Sequence, residues 1–227
     1  MARRLSEYRL FLREFLRSYH TTGAILPSSR FLAAALARYV GQAEGPERIL
    51  EVGPGTGAVT RKIVAQLRAD DRLDLVELNG AFVAQLRERF STDPAFLSVA
   101  HRTRILHCAV QEVPGEACYD LVISGLPLNN FTAPQVSEIL AAFRRLLKPG
   151  GILSFFQYIA IRKLRGLVSG RLDRERLRGI GQVLEELLRA NEFRREGIWP
   201  NVPPAWVHHL RFDGAASHTA EPAIGQR

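Results

Sequence analysis

Three glycines at alternate positions follow an acid in Glu51-Val52-Gly53-Pro54-Gly55-Thr56-Gly57. Glycines so spaced let a main chain bend tightly and bring its amides close to a ligand, with no side chain in between. A second acid, Glu77, closes the next apolar run. A carboxylate placed there accepts both hydrogens of a ribose diol. With Thr60 one turn into the helix that follows and Leu78 after the second acid, these residues point to a nucleotide-type cofactor.

The elements that must position them read directly from the periodicity. Residues 48–52, 73–77, 104–109 and 119–124 are apolar runs of strand length, and 152–158 is a fifth that begins after Lys148-Pro149-Gly150-Gly151. Between them, apolar residues recur at three and four as in helices, for example Val59 to Leu67, Phe82 to Phe90 and Val136 to Leu147. Strands alternating with helices predict a parallel sheet with right-handed crossovers. Residues 193–199 and 206–212 predict two closing strands, and 161–190 a basic helix before them. Ahead of the first strand, a helix from Pro27 or Ser28 ends at Gly41, Gly45 and Pro46.

Spacing alone leaves two cofactors open, because Gly53, Gly55 and Ala58 also fit the looser dinucleotide pattern. A dinucleotide would lay its pyrophosphate at the helix start, whereas S-adenosylmethionine would lay its amino acid and ribose beside the glycines. Glu51 has two readings as well: it touches the ligand, or it satisfies amides of the turn.

The 227 residues suffice for one α/β domain with short appendages, and the formal net charge is +8. Arginines concentrate at 3–17 and again at 162–178. Residues 5–19 place Leu5, Tyr8, Leu12, Phe15, Leu16 and Tyr19 on one helical face with arginines between them. That pattern fits a helix lying on an anionic bilayer, or a packed helix with a solvated basic face. Two cysteines, Cys108 and Cys118, make no disulfide framework and, with the six histidines, no zinc pattern, so no metal is expected. No apolar stretch reaches the roughly 18 residues of a membrane span. The expected setting is the cytoplasm, peripheral on the inner face of the membrane. Residues 1–42 form an N-terminal helical segment, 43–212 the cofactor-binding domain, and 213–227 a disordered tail.

At these residues the chain resembles the Rossmann-like S-adenosylmethionine-dependent methyltransferases. The resemblance rests on EVGPGTG, Glu77, YDLVISGLPL and LLKPGG in that order. It implies S-adenosylmethionine as cofactor and a seven-stranded α/β sheet, mostly parallel, with an antiparallel last strand at 206–212. It also implies cofactor contacts from Glu51, Gly53, Gly55, Gly57, Thr60, Glu77, Leu78, Ser124 and Gly125, and an adenine site near Cys108, Ala109 and Val110.

The acceptor turns on Ser124-Gly125-Leu126-Pro127-Leu128. Ribosomal RNA adenine dimethyltransferases carry Asn-Leu-Pro-Tyr there; here Gly125 and Leu128 stand in place of the asparagine and the stacking tyrosine. The basic N-terminal helix, TGAILPSSR, SGLPL and NVPPAW are instead similar to the bacterial phospholipid N-methyltransferases. That resemblance implies methylation of a lipid amine, on phosphatidylethanolamine or an ornithine lipid, by a monomer at an anionic membrane, with nucleic acid disfavoured. The carbonyls of Gly125 and Leu126, fixed by Pro127, are candidates to orient the amine. Tyr19, His20 and Tyr158 are candidates for proton acceptance or cation contact, and Arg162, Lys163 and Arg165 for the lipid phosphate. His208 and His209, on a closing strand, read as structural.

Overall fold

The computed structural model describes residues 29–159 and 171–212, with 171–177 by backbone alone. The strands are β1 (Arg48–Val52), β2 (Arg72–Val76), β3 (Thr103–Leu106), β4 (Tyr119–Ser124), β5 (Leu147–Tyr158), β6 (Glu192–Ile198) and β7 (Ala205–Arg211). The helices are α1 (Arg30–Leu36), α2 (Ala58–Val64), α3 (Gly80–Thr92), α4 (Pro94–Leu97), α5 (Ala133–Leu146) and α6 (Arg171–Asn191).

One seven-stranded sheet has the order β3-β2-β1-β4-β5-β7-β6. Five strands are parallel, and β7 runs antiparallel to both β5 and β6, as expected of the last strand. Helices cover both faces, which is why the central strands read as continuous apolar runs. Along β1 the alternation is visible: Leu50 and Val52 enter one core with α5 and α6, while Ile49 enters the other with α1 and α2. The chain order reverses between β1 and β4, so a crevice opens at their C-terminal ends.

Several boundaries differ from the periodicity: β3 ends at Leu106 and not at 109, and α2 at Val64 and not at Leu67. Helix α1 stops at Leu36, short of Gly41. The segment after it is held as a turn, because the Glu47 carboxylate accepts the amides of Gly41 at 2.5 Å and Ala43 at 3.2 Å. Lys148-Pro149-Gly150-Gly151 is no free loop: β5 starts at Leu147, paired with Tyr119, and the register shifts before Leu121 meets Ile152. The Lys148 ammonium holds both Asp120 oxygens at 2.8 Å, and Gly150 donates its amide to the Phe212 carbonyl, so the segment is a bulge stitched at each side. The predicted basic helix appears as α6, and its predicted first part, 161–170, lies outside the described residues.

The two histidines of β7 point to opposite faces, each paired with a β6 acid. His208 stacks on Phe155 and meets Glu192 at 2.5 Å. His209 bridges Ser154 Oγ at 2.8 Å and Glu196 at 3.2 Å, and Glu196 takes both arms of Arg38 at 2.5 Å. This chain of contacts locks α1 to the antiparallel edge. Burial drives the His209 pKa down to about 4, against the pull of Glu196. The unfolded chain binds a proton near 6.5 and the folded one only near 4, so stability falls as pH drops through that window. Thermal denaturation of the parent and of His209→Gln between pH 7 and 4.5 reads this contribution as a difference: the parent is expected to lose stability relative to the variant as pH drops. Glu196→Ala, which strands Arg38 and His209, is expected to cost on the order of 2 kcal/mol.

Candidate functional site

At the end of β1 the chain turns between two neighbours. Gly53 donates its amide to the Val76 carbonyl at 2.9 Å, and Gly125 donates to Val52 at 2.8 Å. The β4 turn crosses so closely that a Cβ on Gly125 would lie 2.6 Å from the Gly53 carbonyl oxygen. Leu126 fills the space over Gly53, where a Cβ would meet its side chain at 2.7 Å. Gly55 is different: at φ +54° a Cβ there would meet nothing within 4 Å. The backbone is thus sealed underneath at Gly53 and open at Gly55, where a ligand can lie on it. Gly57, left-handed at φ 82°, hands the chain to α2.

The two acids divide their work. Glu77, 5% exposed, accepts the Gly55 amide at 3.1 Å on one oxygen and the Asn79 amide at 2.8 Å on the other. Burial raises its pKa and those amides offset part of the rise. Each oxygen keeps a lone pair for a hydroxyl, so the pair can still receive a diol. Glu51, fully buried, receives no turn amide; among the described residues neither oxygen has a partner at hydrogen-bonding geometry. Of the turn amides, that of Gly55 is held by Glu77 and not by Glu51. Burial pushes the Glu51 carboxyl up to about 8, the Thr60 hydroxyl and amide hold it down in part, and the Glu77 charge raises it further. At neutral pH the floor of the site is therefore a protonated acid beside the buried Thr60.

The remaining expected residues arrange around this floor. Ser124 is buried and its hydroxyl accepts the Leu126 amide at 3.3 Å. Pro127 opens a 3-10 turn at Leu128–Asn130, with Leu128 in the core. Ala109 and Val110 are buried on the far side, where the Ala109 amide donates to Glu112 at 2.8 Å. The Leu78 carbonyl bonds His107 Nε2 at 3.1 Å. Asn79, Glu112 and His107 were not singled out in the sequence; Asn79 was readable as the cap before Gly80, the other two were not. Tyr158 ends β5 on the neighbouring strand, 7% exposed and edge-on to Phe156 at 5.0 Å. Tyr19, His20, Arg162, Lys163 and Arg165 lie outside the described residues.

Apolar side chains stand exposed along the same rim of the sheet. Trp199 and Val202 lie between β6 and β7, 64% and 67% exposed, and Phe31 on α1 is 45% exposed. The segments are joined where the Ser29 amide donates to the Asn201 side chain at 3.1 Å. The pairing of Tyr158 with Ala205 puts this loop at the C-terminal end of β5, the end at which β1 and β4 open. Among the described residues no group of three His, Cys, Asp or Glu side chains converges for a metal, and no helix is long and apolar enough to cross a membrane.

The buried Glu51 gives a pH signature. Its folded pKa lies above the unfolded value of about 4.5, so the folded state binds the extra proton between these values and stability falls as pH rises towards 8. Glu51→Gln is expected to remove that fall, raising the melting temperature of the ligand-free protein at pH 8 more than at pH 5. An equal change at both values would contradict the protonated floor.

Comparison with known proteins agrees with this geometry. Residues 49–151 match the family described as methyltransferase domain. The chain is 29% identical over 147 residues to an ornithine lipid N-methyltransferase of Singulisphaera acidiphila, covering 65% of this chain and 76% of that one. It is 33% identical over 103 residues to ribosomal RNA small subunit methyltransferase A of Parasynechococcus marenigrum, covering 45% of this chain and 32% of that one. In fold it resembles the Burkholderia thailandensis 1,6-didemethyltoxoflavin-N1-methyltransferase solved with S-adenosylhomocysteine. The TM-score is 0.60 at 21% identity, over 92% of this chain and 91% of that one. The sealed turn with one open glycine and the half-satisfied Glu77 fit an adenosyl ligand; residues 49–151 match the methyltransferase domain family, and the chain has the fold of a methyltransferase solved with S-adenosylhomocysteine.

Proposed function

We propose that the chain methylates the amino group of a membrane lipid head group, an ornithine lipid or phosphatidylethanolamine, while bound at the inner surface of the membrane. The observation that carries this reading is the apolar rim: Phe31, Trp199 and Val202 stand exposed at the end of the sheet where the cofactor turn opens. An exposed indole, apolar in body with a polar N–H, suits the bilayer interface. A lipid amine would then reach the site from the side on which these residues meet the acyl boundary. The similarity to an ornithine lipid N-methyltransferase points the same way.

In this reading Glu77 accepts the ribose hydroxyls, and Gly55 offers its open backbone to the ligand. Leu78, Ala109 and Val110 border the adenine, and Glu51, Thr60, Gly53, Gly57 and Ser124 form the floor and walls. The bound cofactor supplies an electrophilic methyl on a sulfonium that departs as a neutral thioether. The acceptor must be a neutral amine, because an ammonium has no lone pair. The carbonyls of Gly125 and Leu126, braced by Pro127, point the amine, and Tyr158, Tyr19 or His20 receives its proton. Arg162, Lys163 and Arg165 take the lipid phosphate or carboxylate.

The second reading, methylation of adenine in RNA, draws on the similarity to the ribosomal enzyme. It is weaker because Leu128, at the place of the stacking ring, is 1% exposed in the core and offers no platform to a base.

Incubation with methyl-labelled cofactor, mixed aminolipid vesicles and ribosomal RNA separates the two: label in the lipid is expected, and label in RNA alone overturns the proposal. Glu77→Ala is expected to weaken S-adenosylhomocysteine binding by about tenfold or more, measured by calorimetry. The double variant Trp199→Ser, Val202→Ser is expected to cut vesicle sedimentation severalfold while leaving that binding unchanged.

A further inference from the structure

The opposite end of the sheet holds a cavity of about 380 Å³ where β1, β2 and β3 begin. Arg48, Arg72, Arg102, Arg104 and His101 line it around a single carboxylate, Asp74. Arg48 and Arg72 are direct partners in the β1–β2 register, so two guanidinium side chains leave neighbouring strands about 4.8 Å apart on one face. Like charges set side by side in this way oppose folding unless something compensates them.

Asp74 compensates only part. It is 2% exposed and receives Arg104 Nε at 2.7 Å and Nη2 at 2.6 Å, Arg48 Nη2 at 3.2 Å and the Tyr119 hydroxyl at 2.7 Å. Burial raises its pKa, but these donors outweigh that and keep it below the usual carboxylate range, so it stays ionised. Its capacity as an acceptor is therefore spent on Arg104, Arg48 and Tyr119. Arg72 forms no ion pair among the described residues. Arg102 gives one arm to the Arg68 carbonyl, while its Nε is buried with no partner among the described residues. Four guanidinium groups against one carboxylate leave an excess of three positive charges in a cavity the size of a small-ligand site.

We infer that this cavity binds a soluble phosphate-bearing anion of about the size of pyrophosphate, gripped by Arg72 and Arg102 and framed by Arg48, Arg104 and His101. Guanidinium forks match phosphate oxygens two at a time. The site is distinct from the methyl-transfer centre: the length of β1, roughly 13 Å at 3.3 Å per residue, separates Arg48 from Val52. It also faces away from the apolar rim, so its ligand comes from solution and not from the bilayer.

Calorimetry with pyrophosphate at about 0.15 M salt tests this on the full chain, because surface charge is screened there and a built site much less so. One-to-one saturable binding is expected. Arg72→Gln should weaken it about tenfold without changing S-adenosylhomocysteine affinity, and should raise the melting temperature of the free protein by relieving the repulsion with Arg48. Arg189→Gln removes the same charge from the exposed face of α6 and should change nothing. Absence of saturation, or equal weakening by both substitutions, overturns the site. Vesicles of phosphatidylglycerol serve as the second arm: loss of vesicle binding in Arg72→Gln would assign the anion to lipid and overturn the soluble ligand.

Discussion

The molecule depends on the crossing of two turns. Val52 and Gly125 are joined by one backbone hydrogen bond, and the chain passes so closely that no side chain fits at Gly125. This crossing lies where the sheet order reverses, so it closes the bottom of the crevice that parallel α/β sheets open there. Leu126 is pressed over Gly53, while the backbone at Gly55 stays open among the described residues. The ligand surface is made by what the crossing excludes as much as by what it presents.

Around that crossing, charge is sorted by burial. Two carboxyls stand within one site, and the tertiary packing gives them different states. Glu77 accepts two amides at hydrogen-bonding distance and keeps its role as an acceptor, whereas Glu51 is driven toward its neutral form by burial, which outweighs the influence of Thr60. A buried acid that is neutral costs far less than a buried anion. The arrangement tolerates two acids close together because burial drives Glu51 toward its neutral form, the same logic that separates coupled carboxyls elsewhere.

The two ends of the sheet have opposite characters. The C-terminal rim carries the glycine turn and a fringe of aromatic and aliphatic side chains, while the N-terminal rim gathers arginine around one carboxylate. The antiparallel edge serves as a brace: His208 and His209 commit their rings to β6 acids and to Ser154, tying α1 and the exposed loop to the frame. The loop carrying Trp199 and Val202 leaves this edge at the C-terminal end of β5.

The sequence by itself determined the seven strands, their alternation with helices, and the pairing of a glycine turn with an acid on the next strand. Periodicity and glycine spacing are local properties, set by backbone sterics within a few residues. It also marked His208 and His209 as structural. It did not determine which acid would hold the turn amides, since that depends on how β2 lies against β1. Nor did it show that Lys148-Pro149-Gly150-Gly151 is a bulge within β5, which follows from contacts with Asp120 and Phe212. The basic runs visible along the chain lie outside or at the border of the described residues, and the arginine cavity was invisible in sequence because its members come from three separate strands and the 3-10 turn before β3. Register and crossing bring together residues far apart in the chain, and only the tertiary structure decided them, because long-range pairing leaves no local pattern to read.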